Sequence, residues 1–441
     1  MISYLVELST NMGLNIPETV GLVITFLVGG LFTLIYACQF FYLFISYVRP
    51  PKKYPVTGME KRYAAIIAAR NEESVVGALI ESICAQTYPR SCIEIFVVAD
   101  NCTDHTAARA RAAGATVFER HNKQRVGKGY ALEFLFDKIR LTRGLRAFDA
   151  YLIFDADNVL RPTFFEQMDR AFCAGNRIIT SYRNSKNYGT NWISAGYALW
   201  YMHESRHLNN ARSLLGTSAA ISGTGFLVDS EIIEKNGGWR HFLLTEDIEF
   251  TVDEVLRGER IGYCHDAELF DEQPETFRQS WRQRKRWAKG FFQVFGNYGG
   301  RLLRGMLHLR WACFDMTMSV MPALVLSVFQ FVTVLALLVL NGMLNGFASV
   351  YLLECIGGFF LFAYVLVLIF GIFALVSEWR RIHCDKWRAV GLLLTFPIFM
   401  MTYLPISIHA LFSRVEWLPI QHKYAMDARD VEAAGGTSKG E

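Results

Sequence analysis

Two short acidic runs and one basic, aromatic run hold the side chains of this sequence best suited to chemistry. Asp155-Ala156-Asp157 sets two carboxylates one residue apart, directly after the apolar run 151–154. Such a pair at a strand end can hold a divalent cation, which can in turn neutralise a diphosphate. A solvated surface pair reads the same way. In the second run, Thr245-Glu246-Asp247, a carboxylate set in a cleft could take the proton of an attacking hydroxyl. The same residues, followed by Glu249, would equally suit the start of a helix over 248–256. The third run is Gln283-Arg284-Lys285-Arg286-Trp287, with Arg278, Trp281, Arg282 and Lys289 nearby. Here an Arg could hold a diphosphate and a Trp could stack on a sugar ring. An amphipathic helix lying among lipid headgroups has the same composition, and the two uses are compatible.

These residues need elements to position them. Between residue 63 and about 298, short apolar runs alternate with helical stretches. Residues 63–69, 93–99, 116–119 and 151–154 read as strands, and 74–86 reads as a helix. This βαβαβ rhythm predicts a parallel sheet, in which ligands bind beyond the carboxyl ends of the strands. Three polar clusters fall at those ends: Arg70-Asn71-Glu72, Asp100-Asn101 and Asp155-Ala156-Asp157. Their agreement says more than any one of them.

The chain has 441 residues, 52% hydrophobic and 20% charged, with a mean hydropathy of +0.20. That is too apolar for a soluble protein and too charged for a purely membranous one, so a soluble domain joined to a membrane part is expected. The net charge of +4 gives no sign of a nucleic-acid partner. Nine cysteines are scattered without a CxxC pair or zinc spacing, and read as reduced, small apolar residues. Residues 19–47 are apolar for longer than the roughly 20 residues a spanning helix needs. No Lys or Arg precedes them, whereas Arg49, Lys52 and Lys53 follow. The positive-inside rule therefore places the N-terminus outside and the domain in the cytoplasm. Residues 312–340 and 347–376 read as a hairpin of spans. Residues 389–412 are long enough to cross, but Pro397 and Pro405 would break them into a bent or interfacial helix. The expected organisation is a transmembrane anchor (1–50), a cytoplasmic domain (51–275), interfacial helices (276–310), C-terminal transmembrane or interfacial helices (311–412) and a gating segment with a tail (413–441).

Taken in order, Asp100-Asn101-Cys102-Thr103-Asp104, Asp155-Ala156-Asp157, Thr245-Glu246-Asp247 and Gln283-x-x-Arg286-Trp287 resemble the D, DxD, TED and QxxRW series of processive family-2 glycosyltransferases. Bacterial cellulose, hyaluronan and chitin-type synthases belong to that group. The resemblance covers roughly residues 63–290. It implies an α/β GT-A domain, a Rossmann-like mixed sheet that is largely parallel, beside α-helical transmembrane and interfacial helices. It further implies that Arg70, Glu72, Asp100 and Lys128 bind the nucleotide sugar. Asp155 and Asp157 would hold Mg²⁺ or Mn²⁺ on its diphosphate, and Arg286 would bind the diphosphate too. Asp247, within Thr245-Glu246-Asp247, would be the general base. Gln283 and Trp287 would line the acceptor site, and Gly223-Thr224-Gly225 resembles a glycine-containing loop near it, though an ordinary turn reads equally well.

The cellulose synthases' FxVTxK gating loop is missing. In its place stands Val415-Glu416-Trp417-Leu418-Pro419-Ile420-Gln421-His422, in which Trp417 and His422 could cap the nucleotide or merely sit in a surface tail. The implied activity is inverting transfer from UDP-glucose or UDP-N-acetylglucosamine to a growing β-linked polysaccharide, coupled to export. The alternative is a single transfer to a lipid-linked acceptor. The implied setting is a multi-pass protein of the cell (plasma) membrane, contacting lipids, with an oligomer or export partner left open. A transporter or scaffold with a degenerate domain is a third reading. The presence of candidates for every catalytic role argues against it.

Overall fold

The structure is a computed structural model describing residues 2–11, 13–320, 322–345, 350–415, 422–426 and 429–431. Eight strands form one sheet: β1 (Tyr63–Ala69), β2 (Ile93–Asp100), β3 (Thr116–Arg120), β4 (Ala150–Asp155), β5 (Val159–Leu160), β6 (Ile178–Ser185), β7 (Phe226–Asp229) and β8 (Ile261–Asp271). Their spatial order is β3-β2-β1-β4-β7-β6-β8-β5. The half β3-β2-β1-β4 is parallel throughout, as the βαβ rhythm predicts. The other half is mixed: β6 and β8 run parallel, β7 runs antiparallel to both its neighbours, and β5 runs antiparallel to β8. The two strands most deeply placed, β1 and β4, are buried on both faces, as parallel strands covered by helices must be.

Alternation along the strands feeds two apolar layers. Ile66, Phe96 and Tyr151 pack with Leu132, Phe136 and Phe250 on one face. Ile67, Val97 and Phe154 pack with Leu79, Ile80 and Phe165 on the other. Ala69 stands opposite Ala99, and Ala68 opposite Asp155, so the carboxyl ends of β1, β2 and β4 share one level. Asn71 and Asn101, just past two of those ends, adopt φ of 58° and 53°. Asn tolerates that left-handed conformation better than most side chains, and it turns the chain sharply at the sheet edge.

A 33-residue helix, Ile16–Val48, precedes the domain, opened by a capping box between Asn15 and Glu18. After the domain comes the helix Phe277–Leu307, which carries the basic aromatic run, and then a set of apolar helices. Among the described residues, one helical stretch is long and apolar enough to cross a membrane: Phe360–Ser377, with mean hydropathy 2.7. A second qualifies only as a bent pair, Lys386–Leu393 with Phe396–Phe412, angled by 43°. The expected break in 389–412 is thus present. Within the expected span 312–340 the described residues are helical, over Trp311–Val320 and Pro322–Asn345.

Domain and apolar helices are joined by a buried ion pair. Arg212 Nε lies 2.7 Å from Asp315 Oδ2, and its Nη2 lies 2.9 Å from Oδ1. Tyr42 on the N-terminal helix donates to the same carboxylate at 3.0 Å, and Trp311 Nε1 donates to Tyr42 Oη at 2.8 Å. Removing one member strands the other charge, which typically costs about 3–5 kcal/mol, whereas an apolar replacement of both is often nearly neutral. Asp315→Leu is therefore expected to lower the thermal unfolding midpoint in detergent, and the double variant Arg212→Met, Asp315→Leu to recover most of the loss. A double variant no more stable than the single one would contradict this account.

Candidate active site

The sheet edge places Asp155 at the last position of β4, with Ala156 and Asp157 in the turn that follows. Lys128, the first residue of helix Lys128–Thr142, reaches across to it. Its Nζ stands 2.5 Å from Asp155 Oδ1, 2.7 Å from the Gly223 carbonyl and 3.9 Å from Glu246 Oε1. One ammonium group thus ties the DxD turn, the glycine loop and the TED run together. Burial works against the charged form of Lys128, but Asp155 and Glu246 outweigh it and raise its pKa. Gly129 allows the approach: a Cβ there would stand 2.1 Å from the His241 carbonyl.

The glycine loop is a turn, and it also belongs to the site. Thr224 Oγ1 accepts from the Asp155 amide at 2.8 Å. Gly223 (φ 87°) passes so close to the base candidate that a Cβ would stand 3.6 Å from Asp247 Oδ2. Gly225 (φ 63°) has no room for a side chain, because a Cβ would fall 1.9 Å from Leu269 Cδ2.

Helix Glu246–Arg257 starts at the TED run, with Thr245 in the N-cap position. Its hydroxyl makes no capping bond and is buried without a partner, so the side chain does not do what the capping reading predicts. Thr245 instead packs on Gly290, where a Cβ would come within 2.5 Å of Oγ1. Burial pushes Glu246 and Asp247 above the ordinary carboxylate range, each against the pull of Lys128 and Arg286. A base in this state can accept a proton more readily than a solvated aspartate.

The basic run splits across its helix. Arg286 Nη1 donates to the Leu244 carbonyl at 2.7 Å, bracing the loop that carries the acidic pair. Trp287 meets Tyr197 edge-on with centroids 5.7 Å apart, and the buried Oε1 of Gln283 has no partner. Arg284 turns elsewhere: it is fully buried and donates to the Phe399 carbonyl at 2.8 Å and to Thr402 Oγ1 at 2.7 Å.

At the nucleotide side, Asp100 is held by Arg120 at 2.5 Å, and Glu72 is buried. Arg70 lines the same cavity. His422 enters here from the far end of the chain. Its Nδ1 lies 2.9 Å from Glu72 Oε2, and its Nε2 lies 3.8 Å from Asp157 Oδ2. Burial opposes protonation of the ring, but Asp157, Glu72 and Glu272 prevail and lift its pKa to about 10. The segment is fixed by Glu272, which accepts from the amides of Lys423 and Tyr424 at 2.9 Å. Trp417, its companion in the sequence reading, lies outside the described residues.

Among the described residues no three metal-ligating side chains are already converged. What the site offers a cation is Asp155 and Asp157 amid a surplus of buried carboxylates. That donor set suits Mg²⁺ or Mn²⁺ completed by phosphate oxygens.

Sequence reasoning missed several residues that enclose the site. Arg183 donates from Nε to Asp271 at 2.7 Å and from Nη1 to the Ser222 carbonyl at 2.5 Å, and it lies over the Tyr201 ring at 3.8 Å. Glu204 accepts from Ser222 at 2.7 Å. They come from β6 and from a one-turn π-helix, Glu204–Asn209, in mid-helix. No local pattern marks them, although π-turns often accompany functional sites. All these groups line one cavity of about 1150 Å³, which continues to the apolar helices.

The fold places the chain near a solved structure, a mannosyltransferase from Pyrobaculum calidifontis in complex with GDP-Man and Mn²⁺. The TM-score is 0.54 at 16% identity, covering 80% of this chain and 98% of that one. Curated relatives include the beta-monoglucosyldiacylglycerol synthase of Synechocystis sp., 27% identical over 266 residues, covering 56% of this chain and 49% of that protein. A probable glycosyltransferase of Bacillus subtilis is 28% identical, covering 52% and 55%. The poly-beta-1,6-N-acetyl-D-glucosamine synthase of Staphylococcus aureus is 24% identical, covering 52% and 54%. The chain spans about half the length of these relatives. The sequence profile described as glycosyltransferase like family 2 matches residues 61–290, just over half of the chain. With its GT-A sheet and its acidic sheet edge, the chain belongs to glycosyltransferase family 2 and is a glycosyltransferase.

Proposed function

We propose that this enzyme transfers a sugar, with inversion, from a UDP-sugar to an acceptor hydroxyl delivered at a membrane. The observation that carries the reading is the Lys128 bridge, which holds Asp155 and the Glu246-Asp247 pair within one cavity. Asp247 takes the proton of the acceptor hydroxyl. The acceptor oxygen bonds to the anomeric carbon as the bond from that carbon to the phosphate oxygen breaks, and UDP departs. A single displacement turns an α-linked donor into a β-linked product. Asp155 and Asp157 would hold the divalent cation, which supplies charge to the leaving diphosphate. Lys128 places positive charge on the same side. Glu72, Asp100 and Arg70 would hold the nucleotide, Gln283 and Trp287 would flank the acceptor, and His422 would close over the donor.

UDP-glucose and UDP-N-acetylglucosamine are the donors expected by resemblance. The acceptor is a growing polysaccharide exported between the helices, or a lipid that receives one sugar. The relatives named for a poly-N-acetylglucosamine and for a glucosyldiacylglycerol support one reading each. In the membrane arrangement that fits both, the N-terminus lies outside, the catalytic domain lies in the cytoplasm and the chain crosses several times.

Three outcomes follow for lipid-reconstituted protein. Asp247→Asn is expected to cut UDP release about 10²- to 10⁴-fold, the usual contribution of a general base, with UDP affinity little changed. Equal loss of both would point to a binding role instead. Chelation with EDTA should abolish release, and Mg²⁺ or Mn²⁺ should restore it; activity that survives chelation rules the cation out. Trp417→Ala should weaken both UDP affinity and turnover, and unchanged values for both would remove the capping role.

A further inference from the structure

The cavity is larger than a nucleotide sugar needs. At about 1150 Å³ it exceeds the ~300–1,000 Å³ of common small-ligand pockets. Past Asp247 its walls change character. Leu366, Val367 and Phe370 come from helix Val350–Ser377, and Met400, Met401 and Leu404 from the bent pair. Gly358 and Phe362 of the same long helix also line the cavity, and Phe362 is 55% exposed. Among the polar groups in the lining, Tyr42 and Arg212 are both bonded to Asp315.

We propose that the acceptor is a hydroxyl-bearing membrane lipid, its acyl chain lying against these apolar walls and its head hydroxyl meeting Asp247 beside Glu204. The inference rests on the donor-site and base reading given above, and it chooses between the two acceptors. A glycan threaded along these apolar walls would leave hydroxyls without partners, which disfavours it. An acyl chain loses nothing there, because lipid tails are as apolar as Leu.

The polar junction sets the head group. Glu204 is half-buried, with its carboxylate on Ser222. The nearby cations Arg183 and Arg212 are taken by Asp271 and Asp315. At this junction a head-group hydroxyl can donate to either the Glu204 or the Asp247 carboxylate.

The test uses full-length protein in nanodiscs containing dioleoylglycerol, with radiolabelled UDP-glucose and UDP-N-acetylglucosamine. Product is partitioned between chloroform and water and sized. The expected result is a chloroform-soluble lipid bearing one sugar, formed only with dioleoylglycerol present. Leu366→Trp, which crowds these apolar walls, should cut its formation at least tenfold while UDP affinity stays within twofold. A water-soluble polymer, or transfer only when polyprenyl phosphate replaces dioleoylglycerol, overturns the lipid assignment and leaves the UDP-sugar transferase reading intact. So does full lipid transfer by Leu366→Trp. No release of UDP from either donor, with any acceptor, would instead defeat the donor-site reading itself, and this inference with it.

Discussion

Too many carboxylates share one sheet edge, and much of the structure answers that constraint. Glu72, Asp100, Asp157, Glu246, Asp271 and Glu272 are all largely buried there, with Asp155 between them. Each would be costly to bury alone. The chain supplies a cation to nearly every one: Arg120 to Asp100, Lys128 to Asp155 and Glu246, Arg183 to Asp271, His422 to Glu72 and Asp157. Asp247 is the member set beside the glycine loop and left facing the cavity. The remaining negative charge around Asp157 is what a metal–diphosphate would meet. Where neighbours do not suffice, the pKa responds, and Asp271 is pushed up to about 7 by burial despite Arg183.

The part of this that the sequence made legible is the part written locally. β1, β2 and β4 are short apolar runs ending in polar clusters, and their ends fall at one level because parallel register carries Ala69 to Ala99 and Ala68 to Asp155. Glu72, Asp100 and Asp155 could be named for that reason. Arg183 and Asp271 could not. They meet only because β6 and β8, far apart in the chain, lie side by side and pair in parallel, and no spacing in the chain announces that. Glu204 owes its aim to a π-turn inside an otherwise ordinary helix, and His422 crosses 350 positions to reach Glu72. The basic run was legible as a run, but its division was not. Side chains two apart on a helix point about 200° from one another, so Arg286 braces the loop before the TED run while Arg284 is spent on Phe399 and Thr402.

That division has a mechanical side. The helix Phe277–Leu307 is 31 residues long, a rod of about 46 Å. One arginine grips the catalytic loop, and its neighbour two positions away grips the second helix of the bent pair. Gly290 seats the same rod on Thr245 with no slack. If the bent pair lies in the bilayer, its position follows the thickness and lateral pressure of the lipid around it, and the rod carries that displacement to the base. Bilayer elasticity then becomes a variable of turnover, independent of how much donor or acceptor is supplied.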